Sequence, residues 1–139
     1  MHYYLSLGSN LGDREQTLLK AVEALGQQVG TVVRCSSFFY SEPWGFTSEN
    51  GFCNICCMVE SVKTPMEVLT ATQAIERSLG RTHKSVNGHY SDRIIDIDII
   101  RAFDEEGKEI EIRHPQLTIP HPLWQERDFV TVPLREIMP

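Results

Sequence analysis

A chain of 139 residues, 41% hydrophobic and 23% charged, has the size and apolar content of one globular domain with its own core, residues 1–139. Its net charge of −6 argues against nucleic acid as the main partner, and its apolar runs are far too short to span a bilayer. Met1-His2-Tyr3-Tyr4 leads into a strand-like segment rather than a basic-then-apolar signal, so a cytoplasmic location and a monomer are the expectations.

Residues 3–7 form the expected first strand, which ends in Gly8-Ser9-Asn10-Leu11-Gly12, a Gly-rich turn into a helix. Such a turn lets a ligand approach the backbone closely, and the helix start behind it favours an anion. No Gly-Lys-Ser/Thr accompanies it, so it is not a phosphate-binding P-loop, and a purely structural turn is the plain alternative. A helix over residues 13–25 follows, with Leu18, Ala21, Val22 and Leu25 on one face and Gly26 as its stop.

A second strand is expected over residues 31–40. Residues 41–51 then make a long loop rich in breakers and aromatics, of the kind that serves as a lid or binding loop. Trp44 and Phe46 in it either stack on a flat ring or anchor the loop itself. Residues 52–62 alternate as a third strand, in which Asn54 shares a face with Cys56, Met58 and Glu60 and needs a polar partner. Cys53 and Cys56 fall on opposite faces of that strand, and no second Cys-x-x-Cys completes a zinc site. Buried, reduced thiols are therefore expected, not a metal or redox centre.

Thr64-Pro65-Met66-Glu67 marks the start of a second helix, with Thr64 as cap, Pro65 in the first turn and Glu67 closing a capping box. Val68, Thr72, Ile75 and Leu79 make its buried stripe and Gly80 ends it. Gln73 and Glu76, one turn apart on a neighbouring face, are solvent-exposed by spacing. Residues 81–92 are polar, basic and Gly-containing, suited to a polyphosphate when carboxylate-bound metal lies nearby, or otherwise to solvent.

Arg93-Ile94-Ile95-Asp96-Ile97-Asp98-Ile99-Ile100 is the segment around which the rest is organised. On a strand, Asp96 and Asp98 share a face with Ile94 and Ile100, while Ile95, Ile97 and Ile99 fill the other. Aspartate is depleted in strands, so a solvated pair explains these positions less well than a magnesium site, where divalent cations compensate adjacent carboxylates. Downstream, residues 104–108 read as a hairpin turn before a short strand at 109–112. Prolines on both sides hold His121 in an extended backbone, which suggests a positioned contact, and no partner at metal-ligand spacing makes it a zinc ligand.

Taken together, Gly8-Ser9-Asn10-Leu11-Gly12, Glu42-Pro43-Trp44-Gly45, Phe52 with Asn54, Gln73 with Glu76, Gly80-Arg81, Asp92-Arg93-Ile94-Ile95-Asp96-Ile97-Asp98, Ile119-Pro120-His121-Pro122 and Arg127-Asp128-Phe129 carry a resemblance. In that order and spacing, the chain resembles the 6-hydroxymethyl-7,8-dihydropterin pyrophosphokinase family along nearly its whole length. The resemblance implies an α+β, ferredoxin-like antiparallel sheet with helices packed on one face and long active-site loops. It implies a magnesium-dependent diphosphotransferase of folate biosynthesis, which moves the terminal pyrophosphate of ATP to the hydroxymethyl group of a reduced pterin and leaves AMP.

Carried over by position, Asp96 and Asp98 bind two Mg2+ ions, and Arg81 and Arg93 meet the polyphosphate. Gln73, Glu76, Thr118, His121 and Arg127 lie on the ATP side, and Gly8, Ser41, Glu42, Trp44, Phe52, Asn54 and Phe129 on the pterin side. The chain departs from the family at His83 and Gln116, where arginines are expected, around His89 and Tyr90, where a stacking residue is replaced, and in a longer basic loop. Longer members also continue past the position of Pro139, which adds outer decoration.

Two other classes compete. A metal-dependent phosphodiesterase or nuclease would use the same aspartates but needs further acidic ligands and tolerance of DNA. A non-catalytic binding module would explain the aromatics and Asn54, yet leaves Arg81, Arg93, Asp96 and Asp98 without a purpose.

Overall fold

The structure is a computed structural model that describes residues 1–41, 51–80 and 94–138. Its axis is β1 (His2–Ser9), in which every residue after His2 is buried. Tyr3, Leu5 and Leu7 point to one face and Tyr4, Ser6 and Gly8 to the other, so a strand this buried must be covered on both sides. It pairs antiparallel with β4 (Phe52–Glu60) on one flank and β5 (Asp96–Phe103) on the other. Along the outer edge of β4 lie β2 (Thr31–Cys35) and β3 (Phe39–Ser41), giving a five-stranded sheet.

The single strand expected over residues 31–40 is thus broken in two, and Ser36 is the cause. Its N–H donates to Cys56 O at 2.8 Å, while its side-chain Oγ accepts from Cys56 N at 2.9 Å. A side chain has taken over a main-chain place in the ladder, and pairing resumes at Phe39.

Helix α1 (Arg14–Gln28) starts on Asp13, whose carboxylate accepts from Gln16 N at 3.2 Å, and it runs through Gly26. Gly26 lacks the positive φ of a terminating glycine, and the helix continues past it to Gln28. The stop is Gly30, where a Cβ would come within 2.1 Å of Glu60 O. Helix α2 (Pro65–Ser78) carries the expected capping box: Thr64 N donates to Glu67 Oε1 at 2.9 Å and Glu67 N to Thr64 Oγ1 at 3.3 Å. Such a cap is worth about 1 kcal/mol.

Leu18, Ala21 and Leu25 of α1 and Val68 and Ile75 of α2 pack onto the face formed by Tyr3, Leu5, Leu7, Ile55, Val59, Ile97 and Ile99. A third helix, α3 (Asp128–Ile137), lies on the opposite face, with Val130, Leu134 and Ile137 against Tyr4, Cys56, Met58 and Ile100. Each such aliphatic side chain gains roughly 1.5–3 kcal/mol on burial. The sheet therefore has two helices on one side, as expected, and on its other side a helix that the sequence reading did not contain.

After β5 the chain turns on Asp104, whose Oδ1 accepts from Glu106 N and Lys108 N, each at 2.9 Å, with Gly107 at φ +84°. The strand expected at 109–112 shrinks to one bridge between Phe103 and Glu109. A separate hairpin follows, β6 (Ile112–His114) against β7 (Leu117–Ile119). The Ile119–Pro120 peptide is cis, and His121 N donates to Ile100 O at 2.8 Å, which ties this segment to β5 beside the aspartates.

Candidate active site

Register builds the site. Gly8 of β1 stands opposite Asn54 of β4 and opposite Asp96 of β5, and Ser6 stands opposite Cys56 and Asp98 in the same way. Directly opposed residues share a face, so Asn54, Gly8 and Asp96 form one row across the sheet and Cys56, Ser6 and Asp98 the next. The adjoining part of that face, from Tyr4 and Met58 to Ile100, lies under α3. Asp96 and Asp98 are half-buried, whereas Ile95, Ile97 and Ile99 are buried in the opposite core, as alternation predicts. A bulge between Tyr4 and Leu5 leaves Ile100 without a direct partner on β1, so Ile100 packs under α3.

Gly8 is required by crowding. A Cβ there would sit 2.6 Å from Asn54 Nδ2 and 3.7 Å from the Phe52 ring. Asn54 is 4% exposed, and its Oδ1 has no hydrogen-bond partner among the described residues, nor has Ser9 Oγ. An unsatisfied buried acceptor costs about 1–3 kcal/mol, which a ligand donor would recover. Ser41 pairs with Phe52 at the end of the same face, so Ser41, Phe52, Asn54 and Gly8 are brought together.

Glu76 differs from its expectation. Spacing exposes it, yet it is 9% exposed, and its Oε2 accepts from Ile97 N at 2.7 Å. Strand β5 is a sheet edge, and this carboxylate satisfies the edge N–H of the residue between the two aspartates. Sequence carried one weak signal, the adjacency of Glu76 to buried Ile75; its partner strand is distant in the chain. Gln73 is exposed on α2, as spacing predicted, and Thr118 is exposed on β7. Both lie outside the cross-strand rows.

His121 and Arg127 gather on the β5 side. Burial lowers the His121 pKa from its ordinary 6.5, the Arg127 charge lowers it further, and Asp96 opposes both. The imidazole is therefore neutral at pH 7. Its Nδ1 accepts from Leu123 N at 3.2 Å, which leaves the Nε2–H as the outward donor. The Arg127 guanidinium lies 5.7 Å from the centre of the Phe129 ring, at the start of α3.

One contributor was invisible in the sequence. Arg14 Nη1 donates to Gly51 O at 2.9 Å, and its guanidinium lies 5.6 Å from the Tyr40 ring, so it pins both chain ends that flank residues 42–50. An arginine in the first turn of a helix gives no sign of such a task. Glu42, Trp44, Arg81 and Arg93, with Phe46, His83, His89 and Tyr90, lie outside the described residues. The Cys53-x-x-Cys56 pair is split between the two faces, as expected, and all four cysteines are free thiols, although Cys35 is exposed rather than buried.

Among the described residues no three His, Cys, Asp or Glu side chains converge as a metal cage. Asp96 and Asp98 instead offer two hard oxygen donors on one face, the pattern of Mg2+ held by one or two carboxylates with substrate phosphates completing its shell. A cavity of about 390 Å³ beside α3, lined by Arg101, Trp124, Leu134 and Arg135 among others, is separate from these rows. Its Arg101 is already paired with both oxygens of Glu109, at 2.8 and 2.9 Å.

A family model described as 7,8-dihydro-6-hydroxymethylpterin-pyrophosphokinase (HPPK) matches residues 4–139. The chain is 46% identical over 136 residues to a 2-amino-4-hydroxy-6-hydroxymethyldihydropteridine pyrophosphokinase of Porphyromonas gingivalis, covering 98% of this chain and 90% of that one. A Bacillus subtilis protein of the same description is 40% identical over 135 residues, covering 96% and 76%. Among solved structures, an HPPK-DHPS in complex with substrates superposes with a TM-score of 0.69 at 14% identity, and a Plasmodium falciparum HPPK-DHPS triple mutant with 0.68 at 14%. This chain, covered to 98% and 99%, spans 40% of each of those longer chains, and the likeness shows the fold.

Proposed function

Since the chain belongs to the 7,8-dihydro-6-hydroxymethylpterin-pyrophosphokinase family, we propose that the sheet face opposite α1 and α2 seats the pterin beside Asn54 and the triphosphate of ATP beside Asp96 and Asp98. The reaction joins the hydroxymethyl oxygen of 6-hydroxymethyl-7,8-dihydropterin to the β-phosphorus of ATP. The bond from that phosphorus to the oxygen bridging the α-phosphate breaks, so AMP leaves, the hydroxyl proton is released, and the pterin diphosphate of folate biosynthesis remains.

The observation that carries this reading is the row Asn54, Gly8, Asp96, with Asp98 in the next row. It puts an amide able to read a heterocycle edge on one strand and paired carboxylates on another, separated by a residue without a side chain. Asn54 Oδ1 accepts from the pterin edge, Phe52 and Phe129 border the ring, and Ser41 lines the same side. Gly8 keeps the floor between the two substrates flat.

Two Mg2+ ions held by Asp96 and Asp98 fit the donor set, and when bound they offset polyphosphate charge and acidify the attacking hydroxyl. Glu76 acts on the ATP side by fixing the Ile97 backbone between those aspartates. His121 presents its Nε2–H, and Arg127 adds a fixed positive charge. Gln73 and Thr118, on exposed positions of α2 and β7, complete the ATP side, while Arg81 and Arg93 meet the polyphosphate and Glu42 and Trp44 the pterin. A single 1–139 domain acting as a cytoplasmic monomer completes the proposal.

The purified protein, given ATP, Mg2+ and the hydroxymethyl dihydropterin, is expected to form AMP and the pterin diphosphate. Formation of ADP instead rejects the transfer chemistry.

A further inference from the structure

Cys35 and Cys57 face each other directly across β2 and β4, both as free thiols, with their Sγ atoms 3.0 Å apart. The ladder explains that approach. In the adjacent position, Ser36 N donates to Cys56 O and Ser36 Oγ accepts from Cys56 N, which makes Ser36 and Cys56 the hydrogen-bonded pair. The next pair along an antiparallel ladder is the non-hydrogen-bonded kind, where the Cα atoms approach to about 4.5 Å and the side chains are closest. That spacing falls inside the roughly 4.4–6.8 Å that a disulfide spans, so the sulphurs can be joined on the existing strands.

The two thiols are unequal. Cys35 is exposed, whereas Cys57 is fully buried in the core under α1 and α2. The hydrogen bond from Cys57 holds the Cys35 thiol below its ordinary range, and the same contact with burial pushes Cys57 up. An accessible thiol of lowered pKa beside a buried partner is the arrangement in which the first attacks and the second resolves. Neither remaining cysteine competes. Cys53 and Cys56 are buried, and desolvation raises both, Cys56 to about 12.

We propose that Cys35 and Cys57 are a modification site that forms a reversible cross-strand disulfide by exchange with a low-molecular-weight disulfide such as oxidised glutathione. The Cys35 thiolate attacks one sulphur of the oxidant, and one glutathione thiolate leaves. The Cys57 thiol then loses its proton and attacks the Cys35 sulphur, expelling the second glutathione. The two cysteines give up two electrons and two protons in all, and one small disulfide becomes two thiols. The new bond ties β2 to β4 and closes the segment that contains β3, Ser41, Phe52 and Asn54. In a reducing compartment such bonds are transient and regulatory, not structural.

The test incubates the full chain with oxidised glutathione, quenches in acid, alkylates the remaining thiols and measures intact and peptide masses. Trypsin leaves residues 35–63 as one peptide, so a glutamyl endopeptidase is used, which cuts between the two cysteines at Glu49, and fragmentation of the linked pair locates the bridged sulphurs. The expected result is an intact mass lower by two hydrogens, a linked Cys35–Cys57 peptide, full reversal by dithiothreitol, and loss of the linked peptide in Cys35→Ser. A lasting glutathione adduct on Cys35, alkylation of all four thiols after oxidation, or a link through Cys53 or Cys56 overturns the proposal.

Discussion

Replacing Gly8 by alanine would place a methyl carbon 2.6 Å from Asn54 Nδ2. Ordinary van der Waals contact begins at 3.4 Å, so the Asn54 amide must recede by 0.8 Å, the difference of the two. A misplacement near 1 Å costs about a hundredfold in a preorganised site, or ~2.7 kcal/mol of transition-state stabilisation. Stability is expected to hold, because the displaced atom is a side-chain tip and alanine in a strand gains about 0.5–1 kcal/mol over glycine in backbone entropy. Steady-state kinetics with the pterin varied at saturating ATP, beside a thermal melt, separate the two effects. The prediction is a hundredfold fall in kcat/KM for the pterin, on the order of that figure, with the melting temperature unchanged. Wild-type kcat/KM in a well-folded Gly8→Ala protein refutes the placement of the pterin beside Asn54.

Asp98→Ala is expected to lower turnover by roughly a thousandfold or more while the protein stays folded, since it removes a proposed metal donor and relieves repulsion from Asp96; near-normal activity in the same assay rejects the metal assignment. Glu76→Ala strips the Ile97 N–H of its acceptor and is expected to cost about 1–3 kcal/mol in urea unfolding, with Glu76→Gln recovering most of the loss because its amide oxygen can still accept. The His121 pKa is depressed in the fold, so the unfolded chain binds more protons between the folded value and 6.5. The stability this residue contributes is therefore complete above 6.5 and is lost as pH falls through the folded value, and stability curves for His121→Gln should be flatter across that window. An identical slope in the variant would assign the pH dependence to other groups.

What the sequence revealed follows the range of the forces involved. Alternation placed Asp96 and Asp98 opposite Ile95, Ile97 and Ile99, and the Thr64–Glu67 box located α2, because both patterns are local. Helix α3 was hidden by Pro133, which lies inside it, and by the β-branched run Val130, Thr131 and Val132, which disfavours a helix locally. Packing of Val130, Leu134 and Ile137 on the sheet overrides that local preference. The break between β2 and β3 depends on a serine side chain finding a distant strand and had no local signature, and the burial of Glu76 on an edge N–H had only its adjacency to Ile75. The pairing of Cys35 with Cys57 needed the register of two strands far apart in the chain.

Because α3 packs on Tyr4, Cys56, Met58 and Ile100, one helix covers a hydrophobic patch of the sheet and also carries Phe129 to the proposed pterin side. Trimming that helix would strip a greasy floor bare without removing any group proposed to touch phosphate, and aggregation would be the first symptom. Anyone grafting a tag or a second domain onto this scaffold should therefore leave residues 128–137 intact and attach beyond them.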